Sequence, residues 1–283
     1  MQPIGVAEVL RRFAGKGAPS APLMHRWSAW NYGSLIDGSD VNLIVLTGAG
    51  ISAESGLATF RAADGLWADE SIDDVCTPEA LARDPSRVCQ FYDQRKSLAA
   101  KAQPNSAHRA LAALEQHWRE HSYGDFLLIT QNVDDLHERA GSRNLIHMHG
   151  RLNSAFCMEC GFLMTRHGPL EDNRDCPICQ LEALRPDIVF FGEAPRGLPQ
   201  IQAALKSCHL FVAAGTSGTV FPAAGFAHEA GSNGAKTLLL NLEPPEFSAD
   251  FSEIRLGPAS KTVPEWVSDI VSAAANVSRR DGQ

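Results

Sequence analysis

The chain has 283 residues, 44% of them apolar, enough for one large domain or a domain with an attached lobe. Its formal net charge of −8, with no basic cluster beyond short pairs, argues against nucleic-acid binding and suits contact with cationic, lysine-rich protein surfaces. No apolar run approaches the ~20 residues that a helix needs to cross a bilayer.

Residues 1–40 carry Arg11, Arg12, Lys16 and Arg26 against Glu8, Asp37 and Asp40, and read as a flexible N-terminal extension. No signal peptide is apparent, so an intracellular, cytoplasmic setting is expected. There the seven cysteines serve as metal ligands and core thiols rather than disulfides. Residues 41–61, VNLIVLTGAGISAESGLATFR, begin as a buried parallel strand that stops at Thr47. Gly48 and Gly50 then offer backbone angles closed to a side chain and let a phosphate approach the main chain. Ser52, Glu54 and Ser55 supply helix N-terminal signals, and a helix start favours an anion. The dinucleotide fingerprint G-x-G-x-x-G is not met: Ala53 stands at its third glycine, and the next glycine is Gly56. Taken alone, the loop fits an ordinary strand-to-helix turn as well as a nucleotide site.

Residues 62–104 read as helices and loops, with Tyr92 and Arg95 on one helix face. A phenol beside a guanidinium suits a carboxylate, but on the residues alone a solvated helix face is the preferred reading of the pair. Further apolar runs follow at 126–132 (FLLITQN), 187–193 (DIVFFGE), 210–218 (LFVAAGTSG) and 237–243 (TLLLNLE), with helical segments at 105–118 and 221–231. Strand alternating with helix predicts an α/β fold, a Rossmann-like parallel sheet whose ligands bind beyond the carboxyl ends of the strands. That sheet domain is expected over 41–61, 105–150 and 186–275. A helical insertion at 62–104 and a zinc-binding insertion at 151–185 would form a smaller lobe.

Cys157 and Cys160, then Cys176 and Cys179, give C-x2-C twice with fifteen residues between the pairs. Two such pairs complete a tetrahedral four-thiolate zinc site with no position left for water, so the metal is structural, with an iron–sulfur cluster or a redox pair as the alternatives. Cys76, Cys89 and Cys208 read as buried thiols. Gln131, Asn132 and Asp134 follow a strand and would project into the ligand crevice, although Asn132 or Asp134 equally suits a helix cap. His147 and His149 offer two imidazoles just before the cysteine segment.

The motifs GAGIS-x-x-SG-x-x-x-FR, TQN-x-D, HG, two C-x2-C pairs, RP-x-x-V-x-FGE, GTS-x-x-V-x-PA and N-x-E occur in that order over about residues 41–260. As an ordered set they resemble the sirtuin family of NAD-dependent protein lysine deacylases. GISAESG, FRAADGLW, Tyr92 with Arg95, and GPAS at 257–260 are most similar to its bacterial, class III branch. Two positions depart from common patterns. Ala58-Thr59-Phe60-Arg61 stands where many sirtuins have Pro-Asp-Phe-Arg, and Cys76 stands where class III members usually have an alanine lining the acyl pocket.

The resemblance implies that NAD is consumed as a co-substrate beside one structural zinc. Gly48, Ala49, Gly50, Ile51, Ser52, Ser55 and Gly56, with Gly215, Thr216 and Ser217, would hold the phosphates and ribose. Asn241, Leu242 and Glu243 would take the adenosine end, and Ala259 would join the cofactor contacts. Phe60, Arg61 and Trp67 would close over the nicotinamide side, and Gln131, Asn132 and Asp134 would position the ribose and a water. The acyl-lysine carbonyl oxygen attacks the ribose carbon as nicotinamide leaves, and His149 then acts as general base towards a ribose hydroxyl. Tyr92 and Arg95 would bind the carboxylate of a succinyl- or malonyl-lysine. The substrate peptide would pair as an added strand near Phe190, Phe191 and Gly192. Expected partners are acylated-lysine proteins or peptides, without nucleic acid or membrane, and nothing in the sequence demands more than a monomer. An NAD-consuming transferase or NADase, and a non-catalytic binder of acyl-lysine, are the competing classes.

Overall fold

A computed structural model describes residues 32, 40–59, 71–166, 168–244 and 248–280, except the side chains of 276–280. Among the described residues, the strands in chain order are β1 (Leu43–Thr47), β2 (Phe126–Thr130), β3 (Leu145–His147), β4 (Gly150–Cys157), β5 (Leu163–Thr165), β6 (Leu184–Ile188), β7 (Leu210–Ala214), β8 (Lys236–Asn241) and β9 (Glu253–Leu256). The helices are α1 (Gly50–Ala53), α2 (Ile72–Val75), α3 (Pro78–Arg83), α4 (Pro85–Lys101), α5 (Ser106–Glu120), α6 (Leu136–Ala140), α7 (Leu198–Lys206), α8 (Phe226–Ser232) and α9 (Ala259–Arg280).

Six strands form a parallel sheet in the order β3-β2-β1-β7-β8-β9. Every residue of β1, β2 and β7 is buried, which explains why these strands read as unbroken apolar runs rather than alternating ones. Leu43, Val45, Leu128, Val212 and Leu240 face α5 and α9 through Leu111, Leu114, Trp118 and Trp266. On the other face Ile44, Leu46, Ile129 and Phe211 pack on Ile201 and Leu205 of α7 and Phe226 of α8. Pro264 lies inside α9 and cannot donate to the Ser260 carbonyl one turn back. The Ser106 hydroxyl donates to that carbonyl instead, tying the start of α5 to the start of α9.

A second, antiparallel sheet, β5-β4-β6, packs with α2, α3 and α4 into the smaller lobe. Arg166 and Asp93 form a buried ion pair joining this sheet to α4, and Asp93 also accepts the Leu170 and Glu171 N–H groups at 2.7 and 3.1 Å.

Three expectations change. Residues 187–193 do not extend the parallel sheet: β6 ends at Ile188 and runs antiparallel to β4, with Leu184 opposite Cys157. The paired cysteines fold the chain back on itself there, so the returning segment meets β4 first. The parallel sheet gains β3 and β9 instead, three and four residues long, too short to leave an apolar signature. The helix after Thr47 is only the four-residue α1, with no side-chain cap. Ser52 and Glu54 therefore do not start a long helix.

Candidate functional site

The register of the parallel sheet aligns Thr47, Thr130, His147, Ala214 and Leu240 in one row at its carboxyl edge. Strand order reverses between β1 and β7, where open α/β sheets leave a crevice. A cleft of about 1140 Å³ opens there, with walls from both the sheet edge and the smaller lobe.

Two loops meet backbone to backbone on its sheet side. The Gly50 N–H donates to the Gly215 carbonyl at 2.8 Å, and the Gly48 N–H to Ala214 at 3.2 Å. A Cβ on Gly48 would lie 2.9 Å from the Gly215 oxygen, and one on Gly50 would lie 2.7 Å from it. Gly215 itself has a φ of +61°. Gly48 and Gly50 do not adopt left-handed angles, which corrects the expectation; their side chains are excluded because a second loop occupies that space. Within residues 48–56, Gly56, at φ +88°, is the glycine with a left-handed angle.

Behind these loops a buried polar chain reaches the cleft. The Asn105 N–H donates to His108 Nδ1 at 3.3 Å, so His108 Nε2 carries the proton and faces Ser52 Oγ at 3.4 Å. The Ser52 hydroxyl donates to Asp134 Oδ2 at 3.1 Å and accepts from Asn132 Nδ2 at 3.2 Å. Asn132 Nδ2 also donates to the Gly48 carbonyl at 3.1 Å, and Asp134 Oδ1 accepts the Leu136 N–H at 3.1 Å. Asp134, one residue before the N-cap Asp135, thus both accepts the first N–H of α6 and anchors Ser52. Burial pushes the Asp134 carboxyl up and the His108 imidazole down to about 4. His137 Nε2 meets Thr47 Oγ1 at 2.9 Å, and burial holds its pKa well below 6.5.

The two candidate histidines separate cleanly. His147 is 5% exposed and turns away from the cleft, with Nδ1 on the Asn132 carbonyl (3.0 Å) and Nε2 on Glu138 (2.7 Å). His149 lines the cleft. Its Nδ1 donates to the Gln131 carbonyl at 3.1 Å, which fixes the tautomer and leaves Nε2 as the basic nitrogen. Burial lowers its pKa below 6.5, only partly offset by that hydrogen bond, so the ring is neutral at pH 7. Gln131 Nε2 also donates to Thr216 Oγ1 at 2.9 Å, linking the third strand-end loop to the second.

Tyr92, Arg95, Phe190, Phe191 and Gly192 line the smaller-lobe wall. Tyr92 is 3% exposed, and its hydroxyl donates to Cys76 Sγ at 3.1 Å. Arg95 lies with its Cζ 3.1 Å above the Phe91 ring and donates to the Phe91 carbonyl at 3.2 Å. The Phe191–Gly192 turn is held from beneath by Arg185, which grips both Glu193 oxygens at 2.7 and 2.8 Å between the rings of Phe156 and Phe190. Sequence reasoning missed Arg185, though the RP-x-x-V-x-FGE motif contains both partners.

Ala49, Ser52, Ser217, Asn241, Leu242, Glu243 and Ala259 also line the cleft. Ile51, Ser55 and Gly56 do not: Ile51 is fully buried in the core, and Ser55 Oγ accepts from Asn105 at 3.0 Å. Phe60, Arg61 and Trp67 lie outside the described residues. His108 and His137 were not foreseen, because an isolated histidine in a helical segment carries no local sign of its buried partner.

The four sulfurs of Cys157, Cys160, Cys176 and Cys179 lie within 4.8 Å of one another, with Cys157–Cys179 and Cys160–Cys176 both at 3.6 Å. A tetrahedral zinc with ~2.3 Å bonds separates its sulfurs by about 3.8 Å, so the donor set and spacing fit one ion. Cys76, Cys89 and Cys208 are buried thiols outside this cluster, as expected.

Fold and site together define a nucleotide-binding α/β protein with an inserted zinc-ribbon lobe. The Sir2 family model matches residues 48–222. An NAD-dependent protein deacylase of Salmonella typhimurium is 52% identical over 229 residues, covering 80% of this chain and 82% of that protein. One from Vibrio cholerae is 49% identical over 237 residues, 83% of this chain and 95% of that protein. A solved Sir2 homolog–NAD complex matches with TM-score 0.76 at 34% identity, over 86% of this chain and 93% of that one. A Sir2–p53 peptide–NAD+ complex matches with TM-score 0.69 at 26% identity, over 88% and 100%. The chain belongs to the Sir2 family, the sirtuins.

Proposed function

We propose that this sirtuin, an NAD-dependent protein deacylase, removes succinyl and malonyl as well as acetyl groups from lysine side chains, releasing nicotinamide and an O-acyl-ADP-ribose. The acyl reading is carried by Tyr92 and Arg95 lining the same cleft as His149, where a phenol and a guanidinium suit a terminal carboxylate. His149, neutral and fixed as the Nδ1–H tautomer, takes a proton from a ribose hydroxyl at Nε2. Asn132 and Asp134, locked through Ser52, position the ribose and a water. The loops at Gly48–Ser52 and Gly215–Ser217 hold the phosphates, with Asn241–Glu243 and Ala259 towards the adenosine. Phe191 and Gly192 receive the peptide as an added strand, supported by a turn braced on Arg185. Cys157, Cys160, Cys176 and Cys179 hold one zinc, which ties the smaller lobe together. Among the described residues no helix is long and apolar enough to cross a membrane. A cytoplasmic setting completes the reading, supported by seven cysteines that form no disulfide.

Incubating wild type and His149→Tyr with NAD and acetyl- or succinyl-lysine peptide tests the catalytic part. Wild type deacylates and the variant does not; equal turnover by both, or none by wild type on any acyl peptide, refutes it. Arg95→Met is expected to weaken desuccinylation at least ten-fold more than deacetylation, since it removes a charge-assisted contact of roughly 1.5–3 kcal/mol.

A further inference from the structure

The Tyr92 phenol has a single proton to donate, and in this chain it is given to a thiol. The acceptor, Cys76 Sγ, is 3.1 Å away and lines the same wall of the cleft as Tyr92 and Arg95. The backbone that carries the thiol is fixed, because Cys76 is held at both ends. Its N–H closes α2 on the Ile72 carbonyl at 2.8 Å, and its carbonyl accepts the Phe191 N–H at 3.0 Å. Thr77, the next residue, caps α3 by accepting the Ala80 N–H at 3.0 Å. The Tyr92 ring is equally constrained, stacked on Phe190 with centroids 5.9 Å apart and edge-on to Phe91 at 5.0 Å.

We propose that Cys76 is a specificity-determining residue, which sets acyl selectivity by competing with the acyl carboxylate for the Tyr92 hydroxyl. The inference rests on the dicarboxylic-acyl reading above and concerns the ratio between substrates, not whether turnover occurs. Sulfur is a weak acceptor, so a carboxylate draws the phenol away from it at small cost. An acetyl group has no terminal oxygen to make that exchange and leaves the Tyr92–Cys76 pair intact. The thiol therefore acts as a mild, adjustable opponent of dicarboxylic acyl groups, and its replacement tunes the enzyme in a direction set by the acceptor introduced.

Two substitutions separate hydrogen bonding from volume. Cys76→Ala removes the acceptor and enlarges the pocket; Cys76→Ser keeps nearly the same volume but provides a stronger acceptor. The measurement is kcat/KM with succinyl- and acetyl-lysine peptides of one sequence, expressed as their ratio. Cys76→Ala is expected to raise the succinyl-to-acetyl ratio about five-fold, and Cys76→Ser to lower it about three-fold, the sizes set by one modest hydrogen bond. In a Tyr92→Phe background, which has no donor to compete for, both shifts disappear. Melting temperatures identify any variant that fails to fold, and the serine variant carries the test if the alanine variant does. A ratio that Cys76→Ser leaves unmoved, or that both variants shift in the same direction, overturns the competition. Shifts that persist with Tyr92→Phe overturn it too. If neither wild type nor any variant removes succinyl groups while all deacetylate, the underlying acyl reading fails and the competition fails with it. Wild-type desuccinylation that ignores Cys76 refutes only the competition.

Discussion

Replacing Gly50 with alanine puts a methyl carbon 2.7 Å from the Gly215 carbonyl oxygen, 2.9 Å from its Cα and 3.0 Å from its carbonyl carbon. All three obstacles are backbone, so no rotamer change relieves them. The loop after β7 must retreat, and the 2.8 Å hydrogen bond from Gly50 to Gly215 stretches or breaks. Overpacking of this kind costs about 1–3 kcal/mol and the lost bond about 1 kcal/mol more. For a chain of this size a loss of that order lowers Tm by roughly 5–15 °C. Because both loops form the cleft wall, KM for NAD should rise together with the fall in Tm. Gly56→Ala is the comparison: its φ of +88° imposes conformational strain, but nothing lies within 4 Å of the added Cβ. That strain is worth about 1 kcal/mol, and its Tm should fall less. Thermal melting and NAD saturation kinetics of the two variants decide the matter. A Gly50→Ala protein that melts within 2 °C (about the measurement scatter) of wild type with unchanged KM, or one less damaged than Gly56→Ala, refutes the loop-contact argument.

The remaining expectations concern pH and the braced turn. Burial holds the His149 pKa below 6.5, so kcat/KM should stay level as pH falls from 8 to near 6.5 and drop only below that, as the base becomes protonated. An acid limb with its midpoint above 6.5 contradicts this. Glu193→Gln leaves the 5%-exposed Arg185 side chain without its carboxylate, costing about 3 kcal/mol, and frees the Phe191–Gly192 turn. Peptide KM is expected to rise several-fold more than NAD KM, and equal effects on both would count against a role in holding peptide.

Legibility in the sequence followed how local each determinant is. The four metal cysteines declare themselves through spacing alone, and β1, β2, β7 and β8 through unbroken apolar runs that only doubly covered strands tolerate. β3 and β9 escape because three or four residues hold no period. The run at 187–193 reads as a strand of the parallel sheet, whereas the strand there is 184–188 and its neighbour is chosen by the cysteine fold-back, a contact invisible in the segment itself. The GAG glycines mark the right place, but not through backbone angle: the crowding partner is Gly215, which no local rule supplies. His149 was preferred to His147 through the resemblance, not through its own neighbourhood. What separates them physically is that the Glu138 carboxylate and the Asn132 carbonyl claim both nitrogens of His147. The Tyr92–Cys76 contact joins α4 to the end of α2 and likewise exists only after folding.

The central position of β1 has a consequence for how the chain is made. Its partner on one side comes from the segment just after His209, which pairs with Asn42 across 167 residues. At a synthesis rate of about 5–20 residues per second, roughly 10–30 s separate the emergence of these two segments from the ribosome. Throughout that interval one edge of β1 is open, and the apolar strand is a target for mispairing. The cysteine module lies between them and closes over a short stretch, so it can bind its metal while the sheet is still half built. The dinucleotide cannot assist at that stage, because the loop after β7, which lines the sheet side of the cleft, has not yet been synthesised. Nucleotide-dependent stabilisation therefore begins only once β7 and β8 are in place, and a nascent chain stopped before residue 210 keeps a metal-binding lobe without a cofactor cleft.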